Sequence, residues 1–208
     1  MIFDEKELIC FNSILAGKKI LGISIEDKEE MNTGEYIKDT IVSLKEKGII
    51  DGEGNISKIG VLPIRALEQY KNCKNHIVIN NTCIGLINNQ ETIDIKKVKD
   101  CYDISRVNKL SIITQILKKS SFLRGSLSVH SSGNKLGKIS MDIEELLTKD
   151  SIHMIKYLEK SIISDKIFFY DDKQGFSYDL IGKILKEVKP HDIKSTIVTD
   201  FDIQVVGE

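Results

Sequence analysis

An α+β fold, with a mixed or antiparallel sheet packed against helices and a pseudo-twofold repeat of two similar halves, is the class this sequence predicts. Three observations carry that expectation. Helix-period stripes such as Leu8, Phe11, Ile14 and Leu15 are interleaved with short strand-like runs such as Thr82 to Ile87. Asn-Asn pairs at Asn80-Asn81 and Asn88-Asn89 separate three successive strand-like runs, which reads as an antiparallel meander with one wet face. Finally, Ile41 to Asp51 is echoed by Ile155 to Asp165, and a turn, a helix and a strand follow each, Ile77-Val78 answering Ile197-Val198. A chain of 208 residues buries roughly 70% of its unfolded surface. One domain over 1–208 is therefore expected, its halves at about 1–104 and 105–208.

The elements follow in order. Glu5 to Leu15 is a helix that Gly17 can stop. Lys19 to Ile25 is a short strand or an extended connection. Thr33 can cap a second helix with Tyr36, Ile37, Ile41 and Leu44 as its buried stripe and Gly48 as its terminator. A tight turn at Asp51 to Asn55 leads through Ile56 to a third helix, with Pro63 in its first turn and Leu67 and Tyr70 facing inward. The strands His76 to Asn80, Thr82 to Ile87 and Thr92 to Lys96 form the meander. Helix is expected again from about Ser105, with Val107, Leu110, Ile113, Ile116 and Leu117 on one face. Gly125 to Lys138 reads as a loop or flexible hairpin. Asp142 to Leu147, Ile152 to Lys160 and Leu180 to Val188 read as helices, the last closed by Pro190. Lys166 to Tyr170 is a strand, Asp171 to Gly175 a turn, and Ser195 to Val206 one or two strands.

Composition narrows the function. Thirty Lys and Arg against 31 Asp and Glu leave a net charge of −1, which argues against a strongly basic nucleic-acid binder. No apolar run is long enough to span a bilayer, and the acidic start lacks the basic region of an export signal, so a cytoplasmic protein without stable membrane insertion is expected. The four cysteines, Cys10, Cys73, Cys83 and Cys101, form no CxxC pair and read as buried free thiols.

Motifs for chemistry are sparse. Neither a G-x-G-x-x-G nor a Walker-type phosphate cradle occurs. The segment Asp51 to Ser57 brushes against a calcium loop but has Ile56 where the loop requires glycine and Leu62 where it requires glutamate. His76, His130, His153 and His191 are scattered; Cys73 beside His76 supplies two ligands where a metal site needs more. His130-Ser131-Ser132 lacks a nucleophile elbow, and Asp171-Asp172 suits a hairpin tip. No cofactor, no metal and no enzymatic activity are expected. The runner-up reading is a winged-helix DNA-binding regulator, with Glu35 to Lys47 as the reading helix. Its cations Lys38, Lys45 and Lys47 are cancelled by Glu35, Asp39 and Glu46, and Asp51 and Glu53 would face the phosphates.

Four stretches resemble the EspG-like accessory proteins of type VII (ESX) secretion and their Firmicutes relatives. They are the Glu5-Lys6-Glu7-Leu8 opening, the run from Ser43 through Gly48-Ile49-Ile50-Asp51 to Ile56, the helix from Pro63 with the meander from His76, and Val107 to Arg124-Gly125 followed by Ile139 to Leu147. The resemblance implies a quasi-twofold α+β fold and a non-enzymatic cytosolic chaperone or adaptor. Its partners would be helical secreted proteins, WxG-motif-like or related hairpins, with a homodimer also possible. On that reading the contact loops are Asn88, Asn89, Gln90 and Glu91 in the meander, and Ser131, Ser132 and Asn134 in the Gly125 to Lys138 loop.

Overall fold

A computed structural model describes residues 1–17, 19–23, 34–124, 135–171 and 174–202, and in it local side-chain chemistry decides where most elements begin. After a short strand β1 (Ile2–Asp4), Asp4 caps α1 (Glu5–Ile14) in a capping box with Glu7. The helix ends with Ala16 and Gly17 both at positive φ, and the Gly17 N–H donates to the Asn12 carbonyl at 2.8 Å. The left-handed position is thus shared with Ala16. Helix α2 (Gly34–Glu46) closes on Gly48, whose φ of 69° lets the Ile49 N–H return to the Leu44 carbonyl at 2.9 Å. Ser57 then caps α3 (Lys58–Asn72).

Four strands follow as a meander: β2 (Asn75–Ile79), β3 (Thr82–Leu86), β4 (Glu91–Val98) and β5 (Cys101–Asn108). Asn108 caps α4 (Lys109–Lys119), and α5 (Ser121–Arg124) ends the first unit. The second unit runs β6 (Lys135–Lys138), α6 (Ile143–Thr148), β7 (Ser151–Leu158), β8 (Ser161–Asp171), β9 (Gln174–Asp179), β10 (Ile184–Glu187) and α7 (Pro190–Asp200). Every strand pair is antiparallel, and one ten-stranded sheet has the order β1-β5-β4-β3-β2-β7-β8-β9-β10-β6. Read outward from the β2–β7 seam, each unit is a four-strand meander bounded by its own first strand, so the expected pseudo-twofold α+β architecture is present. The axis runs through the seam, perpendicular to the sheet.

Side-chain alternation feeds two layers. Val78 and Cys83 point to one face, where they join Leu8, Phe11, Leu67 and Tyr70 from α1 and α3. Ile77, Ile79 and Ile84 point to the other, where they meet Ile112 and Ile113 of α4 and Ile193 and Ile197 of α7. The first face continues into a smaller cluster in which Leu146 of α6 packs on Ile167, Phe169 and Tyr178. The meander is therefore covered on both faces, where one wet face was expected.

Several sequence expectations change. The repeat is real, but Ile41 to Asp51 belongs to a helix and its turn while Ile155 to Asp165 belongs to the β7–β8 hairpin, so those two stretches are not equivalent. Ile152 to Lys160, expected as helix, is mostly β7, because Ile152 and Met154 alternate onto the buried face. Leu180 to Val188, also expected as helix, is a turn and β10: Asp179 Oδ1 accepts from the N–H groups of Ile181 and Gly182 and ends any helical run. Ser195 to Val206 was expected as strand, yet its described part lies in α7, which opens on Pro190 and the Lys189 N–H to Asp192 bond and buries Ile193, Ile197 and Phe201. Pro190 thus starts a helix. Pro63 sits inside α3, not in its first turn. The helix expected from Ser105 starts at Lys109, and Val107 belongs to β5. Lys19 to Ile23 contains no strand; Ile20 and Ile23 are buried by a turn.

Helices α1 and α2 are joined by one buried carboxylate. Glu7 is fully buried; it accepts from the Asp4 N–H at 2.8 Å, the Ser43 hydroxyl at 2.7 Å and the Lys47 ammonium at 2.5 Å. Lys47 is a third exposed, so its loss and the loss of Glu7 are unequal events. Lys47→Met strands a buried charge and is expected to cost about 3 kcal/mol. In Glu7→Gln the released ammonium reaches water, and the cost is expected to be smaller; urea unfolding midpoints of the two variants check the order.

Candidate partner-binding surface

The meander loop expected to make contacts is a rigid turn. Asn88 Oδ1 accepts from the Gln90 and Glu91 N–H groups at 2.8 and 2.9 Å, and Asn88 Nδ2 donates to Glu91 Oε2. Arg106 also donates to Glu91 at 2.6 Å, and with Asn88 it holds the Glu91 carboxyl below its ordinary range. Asn88 and Glu91 are thus engaged with their own turn, and the side chains offered to solvent there are chiefly those of Asn89 and Gln90. Ser131, Ser132 and Asn134 lie outside the described residues, as does His130.

A different surface stands out. The stripe Tyr36, Ile37, Ile41 and Leu44 was expected to be buried, but only Leu44 is. Ile37, Ile41 and Val42 face outward on α2, while Thr40 and Leu44 point inward. Beyond the turn, Ile56 is exposed, and so are Ile59 and Leu62 on α3, Leu62 to 72%. Six large aliphatic side chains on two consecutive helices and their connection are therefore open to solvent. Exposed aliphatic side chains of this kind mark an interaction surface where they lie side by side. The signal was in the sequence: α2 carries apolar residues on more than one face, more than one buried side requires.

The connection between these helices is internally braced. Asp51 Oδ1 accepts from the Glu53 and Asn55 N–H groups at 3.0 and 2.8 Å, and the Asn55 backbone bond chiefly holds its carboxyl below the ordinary range. The would-be calcium loop spends that carboxylate on its own backbone. Gly60 lies so close to the Ile49 carbonyl that an added Cβ would sit 2.3 Å from it. That approach seats the start of α3 on the end of α2.

The titratable groups singled out from the sequence do not converge. The His76 ring is buried; its Nε2–H donates to the Tyr70 carbonyl at 2.8 Å, and burial keeps its pKa below the usual histidine value. Cys73 Sγ instead donates to the Gln69 carbonyl. Cys73 and Cys83 are pushed to about 11 by burial. Of the four free thiols only Cys83 is fully buried; Cys10, Cys73 and Cys101 are half-buried. His153 donates from Nε2 to Asp165 Oδ1 at 2.8 Å across the β7–β8 ladder, a pairing that sequence spacing did not reveal. Among the described residues, no three His, Cys, Asp or Glu side chains form a metal-binding group.

On the opposite face, a pocket of about 70 Å³ opens between β3, β4 and α4. Asp94, Lys96, Gln115, Lys119 and Ser120 line it. Asp94 accepts from the Thr92 hydroxyl at 3.0 Å, and burial, helped by the Asp103 charge, pushes its carboxyl up to about 7. Burial and the neighbouring Lys96 ammonium lower Lys119. Lys119 sits in the last turn of α4, where cations are favoured, and Lys96 faces it from β4.

The fold is an antiparallel, pseudo-twofold α+β architecture. The chain belongs to the family described as domain of unknown function DUF5081, which matches residues 1–160. No curated protein matches it in sequence. Among solved structures it is similar to the type VII secretion system chaperone EspG5 of Mycobacterium tuberculosis, determined in complex with a PE25–PPE41 dimer. The TM-score is 0.54 at 9% identity, and the match covers 100% of this chain and 98% of that one. Among the described residues, no helix is long and apolar enough to cross a membrane.

Because Asp94 holds its proton more tightly folded than unfolded, the folded state carries the extra proton between about pH 4 and pH 7. Its contribution to stability therefore falls as pH rises through that window. Asp94→Asn is expected to raise Tm at pH 8 and to flatten the dependence of Tm on pH between 4 and 8, measured by thermal melts in a series of buffers.

Proposed function

We propose that this protein is a non-enzymatic, cytosolic chaperone or adaptor that holds helical secreted proteins of a type VII secretion system. The observation that carries the reading is the row of exposed aliphatic side chains on α2 and α3, presented by a scaffold whose fold corresponds along its whole length to a type VII chaperone. Ile37 and Ile41 are four residues apart, and Ile59 and Leu62 three, the spacings at which one helix offers ridges to another. A helical hairpin of the WxG-like kind, which carries its own apolar stripe, is the partner such a surface fits.

The winged-helix alternative finds no support in the same helices. Two of the three cations of the would-be reading helix are occupied: Lys47 by the buried Glu7 and Lys45 by the Gly52 carbonyl. The face left to solvent on α2 includes Ile37, Ile41 and Val42, which offer nothing to phosphates.

Co-expression with helical-hairpin proteins encoded beside its gene, followed by size-exclusion chromatography, tests the proposal. A stable complex is expected. The double variant Ile37→Asp, Ile41→Asp is expected to fold, as judged by circular dichroism, and to lose the complex by at least about tenfold in affinity, equivalent to roughly 1.4 kcal/mol. Retention of no helical partner, together with salt-sensitive retention on duplex DNA, would overturn the reading.

A further inference from the structure

The pocket between β3, β4 and α4 brings two cations together and gives neither a counter-charge. Lys96 lines it from β4 and Lys119 from the last turn of α4. Lys96 faces Asp103 across the β4–β5 ladder, but the Asp103 carboxylate accepts from the Met1 ammonium at 2.8 Å. Asp94, also in the pocket, accepts from the Thr92 hydroxyl instead. Among the described residues neither lysine is in an ion pair. Burial, and the Lys96 ammonium beside it, lower Lys119. Like charges held this close repel, and an anion set between them turns that repulsion into two attractions.

The rest of the lining defines the anion. Ile79, Ile84, Ile112 and Ile152 are buried side chains that give the pocket an apolar wall. A volume of about 70 Å³ holds on the order of five waters, at roughly 10–15 Å³ each. A nucleotide or a long-chain acid does not fit. An acid of a few carbons does, with its carboxylate on the lysines and its alkyl end on the isoleucines. Inorganic phosphate would gain from the lysines but would set polar oxygens against the isoleucines, where nothing satisfies them.

We propose that this pocket binds a short-chain aliphatic carboxylate, held by Lys96 and Lys119. The proposal does not rest on the chaperone reading, since the pocket lies on the sheet face opposite α1 to α3.

Asp94 makes the binding depend on pH. The charged groups around it are Lys96 on its own strand, Asp103 on β5 and Lys119 on α4, while β3 and β7 present Thr82, Ile84 and Ile152. Burial first, and then the Asp103 charge, push its carboxyl up to about 7. Below that pH Asp94 is neutral and both lysine charges are open to a ligand. Above it Asp94 is an anion in the same pocket and repels the ligand, so affinity falls as pH rises from about 6 to about 8.

Titration of the isotope-labelled full chain with sodium butyrate at constant ionic strength, followed by amide NMR shifts, is the test. Saturable shifts confined to β3, β4 and the end of α4 are expected, with a Kd in the millimolar range. Lys119→Gln, at an exposed position, is expected to keep the spectrum dispersed and to raise Kd at least about fivefold. Lys118→Gln, one residue away and outside the pocket, is expected to leave Kd unchanged, which separates the site from general charge. Asp94→Asn is expected to remove the loss of affinity between acid and alkaline buffers. Shifts that never saturate, a Lys119→Gln Kd equal to that of the wild type, or phosphate binding tighter than butyrate would sink the proposal. The variant Ile37→Asp, Ile41→Asp is expected to bind butyrate normally, so failure here and failure of the chaperone reading are told apart.

Discussion

Five residue pairs between β2 and β7, from Asn75–Leu158 to Ile79–Met154, are the seam on which the rest of this architecture depends. Without them the chain would be two five-stranded sheets, each with a raw inner edge. With them each inner edge is consumed by the other unit, and a single sheet has its ends only at β1 and β6. The antiparallel sense of the seam also fixes what lies on each face. An axis perpendicular to the sheet preserves faces, so α4 and α7 meet on one side while α1 to α3 and α6 share the other. Side-chain alternation then does the sorting, with Val78 going to one layer and Ile77 and Ile79 to the opposite one.

The symmetric frame is unequally dressed, and the exposed features arise where the symmetry breaks. The first unit carries three helices ahead of its meander, and the second carries only the short α6. The surplus helices leave Ile37, Ile41, Ile59 and Leu62 with no layer to bury them. The second unit has the opposite surplus: its β8 is 11 residues long and its β9 only 6, so strand is left over. A helical face and a strand edge differ in what they leave open, side-chain surface in one case and backbone hydrogen-bonding groups in the other.

Several charged side chains are engaged within the molecule. Lys47 is spent on Glu7, Lys156 on Asp200 at 3.1 Å, Lys149 on Asp171 at 2.6 Å and Arg106 on Glu91 at 2.6 Å. With a net charge of −1, the molecule projects little long-range field. On the proposed chaperone reading, recognition rests on shape and apolar contact.

Much of this was legible in the amino-acid order, because the signals were local. The Asn80 and Asn88 turns, the Gly48 stop and the strands β2 to β4 are written in adjacent residues, although both faces of those strands are covered where one wet face was expected. The α+β class was legible for the same reason, whereas the repeat lies in the sheet topology and not in the echo of Ile41 to Asp51 by Ile155 to Asp165, which pairs a helix with a hairpin. What misled were segments whose apolar residues fit two periods at once. Ile181, Ile184, Leu185 and Val188 match a helical face, but a single Asp179 side chain bonding to two backbone N–H groups made them a turn and a strand. Thr196, Ile197 and Val198 favour a strand, yet the buried face offered by α4 and β7 accepts Ile193, Ile197 and Phe201 only at helical spacing. Whether an apolar residue is buried is likewise not a local property. Leu44 and Ile41 have the same character and sit one turn apart, and only the placement of α1 and the sheet decides that Leu44 enters the core while Ile41 faces water. Sequence determined the elements whose boundaries are held by neighbours in the chain; tertiary structure decided which faces and edges remained open, because burial depends on partners that are distant in sequence.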